Sequence, residues 1–319
     1  MTKKVLVAIP VEQRHKEYLE QETIGRCSFI YKKPSEVTVD DLALVNAIVG
    51  NVPAPLLKDA KELELLQLNS AGTDSYTASG IMPAGVRLCN ATGAYSLSVG
   101  EHMLALTFDL IRHLAQYRDR QKAHKWQDCG RIISVEGATV AVLGLGDIGS
   151  FYARKMKALG AACVIGVKRT IREKPEFIDE LYTIEDLDKI LSRADIVAMV
   201  LPSGNATDNL MDERRLRLMK RGAYLINVGR GNSIDETALQ KVLSDGHLGG
   251  AALDVTSSEP LPEDSPLWEQ KNLFITPHIA GSFFLQETFE RIVRISGFNL
   301  RAWLNGEMLK NEVKLTYGV

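Results

Sequence analysis

The sequence predicts an α/β protein of two doubly wound parallel-sheet domains. The chain has 319 residues, which is more than one hydrophobic core of ordinary size fills. Short apolar runs alternate with helix-like stretches in two separate series, and such alternation is typical of parallel sheets. A helical pattern at residues 98–126 separates the two series and is too long for an ordinary crossover helix, so it predicts a connection between domains.

The first series contains four predicted strands, at residues 5–9, 28–31, 47–49 and 65–68. A polar, helix-like stretch follows the first of them at residues 12–22. The last strand runs into the turn-rich sequence from Asn69 to Asp74.

The second series contains six predicted strands, at residues 139–143, 163–167, 196–201, 223–228, 250–253 and 273–275. Six strands are enough for one complete doubly wound sheet. A helical pattern returns at residues 283–304. This order of motifs predicts a domain at 101–284 that is inserted in a discontinuous domain made of 1–100 and 285–319.

Charge and composition exclude several classes of protein. Hydrophobic residues make up 45% and charged residues 24%, with a net charge of −2, so a nucleic-acid partner is not expected. The densest basic cluster, Arg214, Arg215 and Arg217, lies beside Asp212 and Glu213 and is interpreted as a solvated helical face. No apolar run is long enough to span a bilayer, and no membrane partner is expected.

Four cysteines, Cys27, Cys89, Cys129 and Cys163, form no CxxC pair and no metal-ligand spacing. They are interpreted as reduced thiols, and no metal site is predicted. The first residues lead directly into an apolar strand without a cleavable signal region, so we expect a cytoplasmic protein.

A glycine-rich loop directly follows the first strand of the second series. Its sequence is GLGDIG (144–149), in which Gly144, Gly146 and Gly149, with Asp147 and Ile148, are the candidate cofactor-binding residues. The three glycines allow a tight turn, a close approach of pyrophosphate to the backbone and close packing of the next helix on the strand. The loop therefore predicts a dinucleotide site at a helix N-terminus, and a purely structural turn is the alternative.

The next strand ends in Lys168, Arg169 and Thr170, where an NAD-binding protein usually places an acidic residue that binds the ribose 2′-hydroxyl. A guanidinium can bind a 2′-phosphate, whereas a carboxylate would repel it. The sequence therefore favours NADP as the cofactor, with NAD possible. Ordinary surface charges beside a permissive pocket are the alternative interpretation.

Three polar residues follow later strands of the second series: Arg230, Glu259 and His278. Ligands of open α/β sheets bind at the carboxyl ends of the strands. A histidine exchanges protons near neutral pH and a carboxylate can orient its ring, while arginine binds a carboxylate bidentately and polarises a carbonyl. These residue types together predict a catalytic site, in which His278 would exchange a proton, Glu259 would orient its ring and Arg230 would bind a carboxylate and polarise a carbonyl.

Five motifs carry a resemblance to a known family. The sequence resembles the D-isomer-specific 2-hydroxyacid dehydrogenases along essentially its whole length, and more weakly the glyoxylate and hydroxypyruvate reductases among them. The motifs are NSAGTD (69–74), GLGDIG (144–149), INVGRG (226–231), ALDVTSSEPLP (252–262) and ITPHIAG (275–281).

The resemblance implies a Rossmann cofactor domain inserted in a flavodoxin-like substrate domain, with both ligands in a cleft that closes on binding. It implies hydride transfer between NAD(P)H and a small 2-keto acid, most simply of the glyoxylate or hydroxypyruvate type, to give a D-2-hydroxy acid. It also implies a homodimer through the cofactor domains. Apolar residues on more than one face of the 98–126 helix, such as Phe108 and Leu114, agree with a dimer.

The resemblance assigns further roles. It implies that backbone amides at Ala71 and Gly72 bind the substrate carboxylate. Residues along the cofactor are Pro202, Val228, Gly229 and, at the nicotinamide end, Asp254. Gly50, Asn51 and Tyr95 are candidate pocket residues with a structural role as the alternative.

Departures and competing functions remain. Phe283 and Phe284 are bulkier than the resemblance leads one to expect, and either narrow the substrate mouth or pack in the last helix. One extra residue within 160–165 leaves the alignment of Lys168 open by one position. The alternatives are an NAD-dependent 3-phosphoglycerate dehydrogenase, which would add a phosphate-binding cluster in the first domain, and a nucleotide-sensing corepressor, which would not need Arg230, Glu259 and His278.

Overall fold

The computed structural model describes residues 2–171 and 173–315. The chain divides into two compact units. Unit 1 contains the chain up to Tyr95 together with the chain from Phe283 onward, and unit 2 is Ser96–Ser282.

The strands in the described residues are β1 (Lys3–Val7), β2 (Cys27–Tyr31), β3 (Ala47–Val49), β4 (Leu65–Gln67), β5 (Arg87–Cys89), β6 (Thr139–Leu143), β7 (Cys163–Val167), β8 (Glu180–Tyr182), β9 (Ile196–Met199), β10 (Tyr224–Asn227), β11 (Gly250–Leu253), β12 (Leu273–Ile275) and β13 (Glu312–Val313). The helices there are α1 (Gln13–Thr23), α2 (Val39–Leu42), α3 (Asp74–Thr77), α4 (Ser96–Arg112), α5 (Leu114–Lys122), α6 (Asp147–Ala158), α7 (Leu187–Leu191), α8 (Glu213–Leu218), α9 (Glu236–Ser244) and α10 (Gln286–Asn305).

Unit 1 is built on a sheet with the order β13-β5-β4-β3-β1-β2. Its parallel part, β2-β1-β3-β4-β5, has the flavodoxin-like order, in which the chain reverses direction beside the first strand. Leu6, Ile48, Leu66 and Leu88 are fully buried, one on each of four neighbouring strands, and they form the centre of one core. The predicted fold class is confirmed for this unit.

The last helix and the last strand in the described residues, α10 and β13, complete unit 1. Strand β13 pairs antiparallel with β5, and Arg87 binds Glu312 through two hydrogen bonds of 2.7 and 2.8 Å. Helix α10 packs against α1, and the Asn299 amide donates to Gln67 Oε1 in the interior. Unit 1 therefore needs α10 and β13 to complete both its core and one edge of its sheet.

Unit 2 contains a parallel sheet with the order β12-β11-β10-β9-β6-β7-β8. This is the Rossmann order, extended by β12, and the chain reverses between β6 and β9. Six of its strands were predicted. The prediction missed β8, a half-exposed strand at the edge of the sheet that pairs with β7.

The predicted single helix at 98–126 is wrong. Helix α4 ends at Arg112, because His113 adopts a left-handed conformation with φ of 58°, and a separate helix α5 follows. The side chain of His113 is tied to the carbonyl of Arg131 at 3.0 Å. The two helices also differ in burial: α4 buries an apolar stripe that includes Met103 and Leu106, whereas no residue of α5 is buried.

Strand β5, which has the sequence RLC, was not predicted. The first strand begins and ends two residues before the predicted 5–9 segment. Among the described residues, no helix has the length and apolar character that crossing a membrane requires.

Candidate functional site

The glycine loop joins β6 to α6 at the point where the sheet of unit 2 changes direction. Gly144 has φ of +101°, and a Cβ there would lie 2.4 Å from the Val200 carbonyl oxygen. A Cβ at Gly149 would lie 2.0 Å from the Gly144 carbonyl oxygen. Neither position tolerates a side chain, because the loop and the helix approach each other this closely.

Gly146 differs from its two neighbours, because a Cβ there would meet no protein atom within 4 Å. The residue forms the N-cap of α6, and no side chain caps this end of the helix. The loop therefore leaves space beside uncapped backbone amides, as a bound pyrophosphate requires. These residues fit a dinucleotide, with Asp147 and Ile148 in the first turn of the helix.

Lys168, Arg169 and Thr170 follow β7 at the carboxyl edge of the same sheet. Lys168 is fixed through its backbone, which donates to the Tyr182 carbonyl at 3.0 Å on the neighbouring strand. Arg169 and Thr170 are exposed. A guanidinium next to the second strand of a dinucleotide fold is suitably charged for a 2′-phosphate.

His278 and Glu259 form a hydrogen-bonded pair. His278 Nδ1 lies 2.7 Å from Glu259 Oε2, and both side chains are partly exposed. The other carboxylate oxygen accepts from the backbone amide of Thr256 at 3.1 Å, which fixes the carboxylate. Because a carboxylate on Nδ1 requires a proton there, Nε2 is the ring nitrogen left for exchange with a ligand.

Arg230 follows β10 and is anchored through its backbone. Its carbonyl accepts from Asn227 Nδ2 at 2.9 Å and from Ser233 Oγ at 2.6 Å. Asn227 also accepts from the amide of Gly229, and its side chain is fully buried. The loop that carries Arg230 is therefore rigidly connected to the end of the strand.

Gly229, Val228 and Pro202 lie along the carboxyl edge near the switch in strand order. A Cβ at Gly229 would come within 2.6 Å of the Leu201 amide nitrogen, so the two loops are in close contact. Val228 donates its amide to Met199 at 3.1 Å, and the Pro202 carbonyl accepts from Thr207. These positions agree with a cofactor bound at the carboxyl ends of the strands, where the strand order reverses between β6 and β9.

Asp254 directly follows β11 and is 2% exposed. Its carboxylate accepts from the backbone amides of Ile279 at 3.0 Å and Ala280 at 3.1 Å, and from Thr276 Oγ1 at 2.6 Å. In this structure Asp254 therefore holds the segment that carries His278, in addition to any contact with a cofactor.

The predicted substrate-binding residues of unit 1 follow β3 and β4, except Tyr95, which directly precedes α4. Gly50 has φ of +123° and approaches the Ala8 carbonyl, where a Cβ would be 2.7 Å away. Asn51 and Asn69 bond reciprocally, each side chain accepting from the other's backbone amide at 2.6 and 3.0 Å. This pairing joins the two strand ends before the turn begins.

The turn that contains Ala71 and Gly72 is tied down through its carbonyl groups. Ser70 Oγ donates to the Gly72 carbonyl at 2.7 Å, and Asn90 Nδ2 donates to the Ala71 carbonyl at 2.9 Å. Tyr95 is 6% exposed and its hydroxyl donates to the Asn69 carbonyl. Burial raises the pKa of Tyr95, so this hydroxyl remains protonated and supports the turn.

Phe283 and Phe284 differ in their surroundings. Phe283 packs edge-on against Phe289 of α10, with the ring centroids 5.6 Å apart. Phe284 is 88% exposed. Phe283 therefore packs partly against the last helix and stays 37% exposed, whereas Phe284 is an exposed aromatic residue.

Sequence reasoning missed several residues that organise these loops, namely Asn227, Ser233, His102 and Thr276. Asn227 could have been found, since it is a polar residue at the end of an otherwise apolar strand. His102 could not, because its partner Thr276 lies 174 positions away. In the part of the chain that the structure describes, no three His, Cys, Asp or Glu side chains are grouped to bind a metal.

Comparison with protein families gives a match to D-isomer specific 2-hydroxyacid dehydrogenase, NAD binding domain, over residues 104–280. Glyoxylate/hydroxypyruvate reductase B of Erwinia tasmaniensis is 32% identical over 269 residues, which cover 82% of each chain. D-3-phosphoglycerate dehydrogenase of Mycobacterium leprae is 31% identical over 279 residues, which are 87% of this chain and 52% of that protein.

Two solved structures extend the match to the whole chain. A D-isomer specific 2-hydroxyacid dehydrogenase family protein from Aeromonas salmonicida is 30% identical, with a TM-score of 0.87 over 99% of this chain and 100% of that one. A D-isomer specific 2-hydroxyacid dehydrogenase from Xanthobacter autotrophicus, in complex with NADPH and MES, is 27% identical, with a TM-score of 0.83 over 98% of each chain. With more than half of its residues matched by the family and its fold shared along its full length, this chain belongs to the D-isomer-specific 2-hydroxyacid dehydrogenases and is an NAD(P)-dependent enzyme that acts on a CH–OH group.

Proposed function

We propose that the protein reduces a small 2-keto acid of the glyoxylate or hydroxypyruvate type to the D-2-hydroxy acid, with NADPH as the preferred reductant. The observation that carries this proposal is the 2.7 Å pair of His278 and Glu259, on the sheet edge that also carries the open glycine loop. The relative from Erwinia, named a glyoxylate/hydroxypyruvate reductase, supports this substrate class.

The glycine loop around Gly146 would hold NADPH, which when bound would supply the hydride for reduction of the keto carbon. His278 donates the proton on Nε2 to the keto oxygen, which becomes the hydroxyl of the product. Glu259 accepts from Nδ1 throughout, so it orients the ring and stabilises the imidazolium before the transfer. Arg230 binds the substrate carboxylate and polarises the carbonyl. The amides of Ala71 and Gly72 are the proposed second carboxylate contact.

A substrate panel tests this function. Glyoxylate, hydroxypyruvate, pyruvate and 3-phosphohydroxypyruvate are each supplied with NADPH or NADH, and the loss of absorbance is followed. We expect the highest kcat/KM for one of the first two compounds. A clear preference for the phosphorylated compound with NADH would instead support the 3-phosphoglycerate dehydrogenase alternative.

The preference for NADPH rests on Arg169, with Lys168 and Thr170 beside it. One charge-assisted hydrogen bond to a phosphate contributes about 1.5–3 kcal/mol, and the lower end applies to an exposed side chain. Arg169→Ala should therefore lower kcat/KM for NADPH about tenfold and leave the value for NADH within about twofold. Arg221→Ala is the matched control, because this exposed arginine precedes β10 at the opposite edge of the sheet. Equal losses for both cofactors would refute the role of Arg169.

A homodimer is the proposed assembly. The segment 114–126, which begins with α5, exposes apolar side chains: Leu114 is 53% and Trp126 105% exposed. Exposed apolar residues of this kind are typical of an interface. Sedimentation at micromolar concentration should give a dimer, and Trp126→Ser should weaken it, while Trp268→Ser outside this region should not. A monomer for the unmodified protein would contradict the proposal.

A cytoplasmic location is also proposed. Cys27, Cys89, Cys129 and Cys163 are all free thiols in the described structure, which is typical of reducing compartments. Fractionation of the native host with detection by antibody tests this location.

A further inference from the structure

The segment that carries His278 is held in an unusual conformation. His278 has φ of +53°, which residues with a side chain rarely adopt unless their surroundings impose it. Its amide donates to the Asp254 carbonyl at 2.8 Å. The position of the imidazole therefore depends on groups that hold the backbone before and after it.

Asp254 holds the two residues that follow. Its buried carboxylate accepts from the amides of Ile279 and Ala280, and it also accepts from the hydroxyl of Thr276, two residues before His278. The same carboxylate therefore fixes both sides of the left-handed residue.

Helix α4 approaches this segment with two side chains one turn apart. Ser98 Oγ donates to the Ala280 carbonyl at 2.7 Å. His102 Nε2 lies 3.0 Å from Thr276 Oγ1 and 3.6 Å from Asp254 Oδ1. Because residues four apart lie on one face of a helix, Ser98 and His102 act on the same stretch of chain.

The direction of these hydrogen bonds follows from the chemistry of the groups. Thr276 gives its single proton to Asp254, since that contact is the shortest and its acceptor is a carboxylate. The Thr276 oxygen must then accept from His102, so Nε2 of His102 carries a proton. The result is a continuous chain of donors from α4 to the carboxylate that holds the His278 segment.

We propose that His102 is a positioning residue for the reaction, because through Thr276 and Asp254 it holds the backbone from which His278 bonds Glu259. The inference rests on the proposed role of His278 as proton donor. His102 acts at a distance and has no contact with reacting atoms in this proposal. Its removal therefore loosens the proton donor without removing it.

The experiment compares His102→Ala, His102→Gln and the control Glu101→Ala, which changes an exposed neighbour on the same helix. Hydrogen exchange is measured by mass spectrometry on the peptide that contains residues 276–282, with the β6 peptide at 139–143 as internal reference. His102→Ala should speed exchange at Ile279 and Ala280 about tenfold and leave the reference unchanged. Glutamine, which retains a donor near the position of Nε2, should restore most of the protection.

Kinetics provide the second readout. Displacement of a catalytic group by a fraction of an ångström to 1 Å costs up to about 100-fold in rate. His102→Ala should therefore lower kcat about 10- to 100-fold and change the KM for NADPH less than about threefold. His102→Gln should lose much less, for example at most about 10-fold in kcat where His102→Ala loses about 100-fold. Glu101→Ala should have the kcat of the unmodified enzyme.

A double-mutant cycle with Thr276→Val tests the path. If His102 acts through Thr276, the double variant is no slower than the slower single variant. Additive losses of kcat in the double variant overturn the inference. Unchanged hydrogen exchange at 276–282 in both His102→Ala and His102→Gln also overturns it. If His102→Ala does not fold, the measurements on Thr276→Val and His102→Gln decide. His278→Ala is run in parallel: if it retains full activity the proposed function fails, whereas its inactivity beside normal His102 variants overturns this inference alone.

Discussion

Alanine at Gly146 should weaken cofactor binding with little effect on the stability of the fold, whereas alanine at Gly149 should lower the stability of the fold. At Gly146 the new methyl group meets no protein atom within 4 Å, and the φ of −80° is allowed for alanine. At Gly149 the methyl carbon would lie 2.0 Å from a carbonyl oxygen. The two variants therefore separate a space reserved for a ligand from a space required by the fold.

The magnitudes follow from these contacts. Alanine at an N-cap typically costs about 1 kcal/mol relative to the best caps and glycine a few tenths, so Gly146→Ala should lower the free energy of unfolding by about 1 kcal/mol or less. Its methyl group displaces the pyrophosphate, and loss of one charge-assisted hydrogen bond worth about 1.5–3 kcal/mol raises the Kd for NADPH about 10- to 150-fold. Overpacking at Gly149 should cost about 1–3 kcal/mol or more of stability.

Isothermal titration with NADPH and urea unfolding of the apoprotein measure the two quantities separately. A Gly146→Ala protein that binds NADPH as tightly as the unmodified protein would show that the pyrophosphate does not pass this glycine. A Gly149→Ala protein with unchanged urea midpoint would show that the loop and helix relax apart without cost. Either result refutes the reasoning for that position.

Further predictions concern catalysis and pH. His278→Ala should lower kcat about 10²–10⁴-fold and leave the Kd for NADPH within about threefold, as measured by stopped-flow absorbance and titration. Arg230→Ala should raise the KM for the keto acid as well as lower kcat, and an effect on KM alone would remove the polarising role from Arg230. The hydrogen bond from the Arg193 side chain lowers the pKa of Glu180 from 4.5 to about 2. This carboxylate therefore stabilises the fold above pH 4.5 and loses the effect as the pH falls through about 2. Glu180→Gln should lower the urea midpoint slightly at pH 7. The difference in midpoint between the two proteins should become smaller below pH 4.5, and a larger difference there would contradict the prediction.

Strands that are buried on both faces were predicted to within two residues: the bounds of β6 and β7 agree with the structure, whereas β9 and β10 were predicted one or two residues too long at an end. The apolar sequences of β6 and β7 contain nearly all the information about their position, because a parallel strand in mid-sheet contacts apolar groups on each side. Strand β8 has the sequence ELY and is half-exposed. It is stabilised by its hydrogen bonds with β7. Local sequence cannot predict such an edge strand, since the partner that stabilises it is distant in sequence.

The break between α4 and α5 has the same origin. No glycine or proline marks it, and the left-handed His113 is fixed by a contact with the carbonyl of Arg131, 18 residues away. The candidate site follows this pattern as well. Chemistry predicted the glycines, His278, Glu259 and Arg230, whereas His102, which holds the segment of His278, is recognised only from the hydrogen bonds of the folded chain.

The discontinuous construction of unit 1 also affects the order in which the protein can fold during synthesis. Strands β1–β5 leave the ribosome first, but α10 and β13, which complete their core and sheet edge, follow only after the whole of unit 2. At 5–20 residues per second, the roughly 190 intervening residues take on the order of 10–40 s. During this interval β5 has an unpaired edge and the surface that receives α10 is uncovered, so the nascent first unit is the part of the molecule most dependent on chaperones or on rapid completion of the chain.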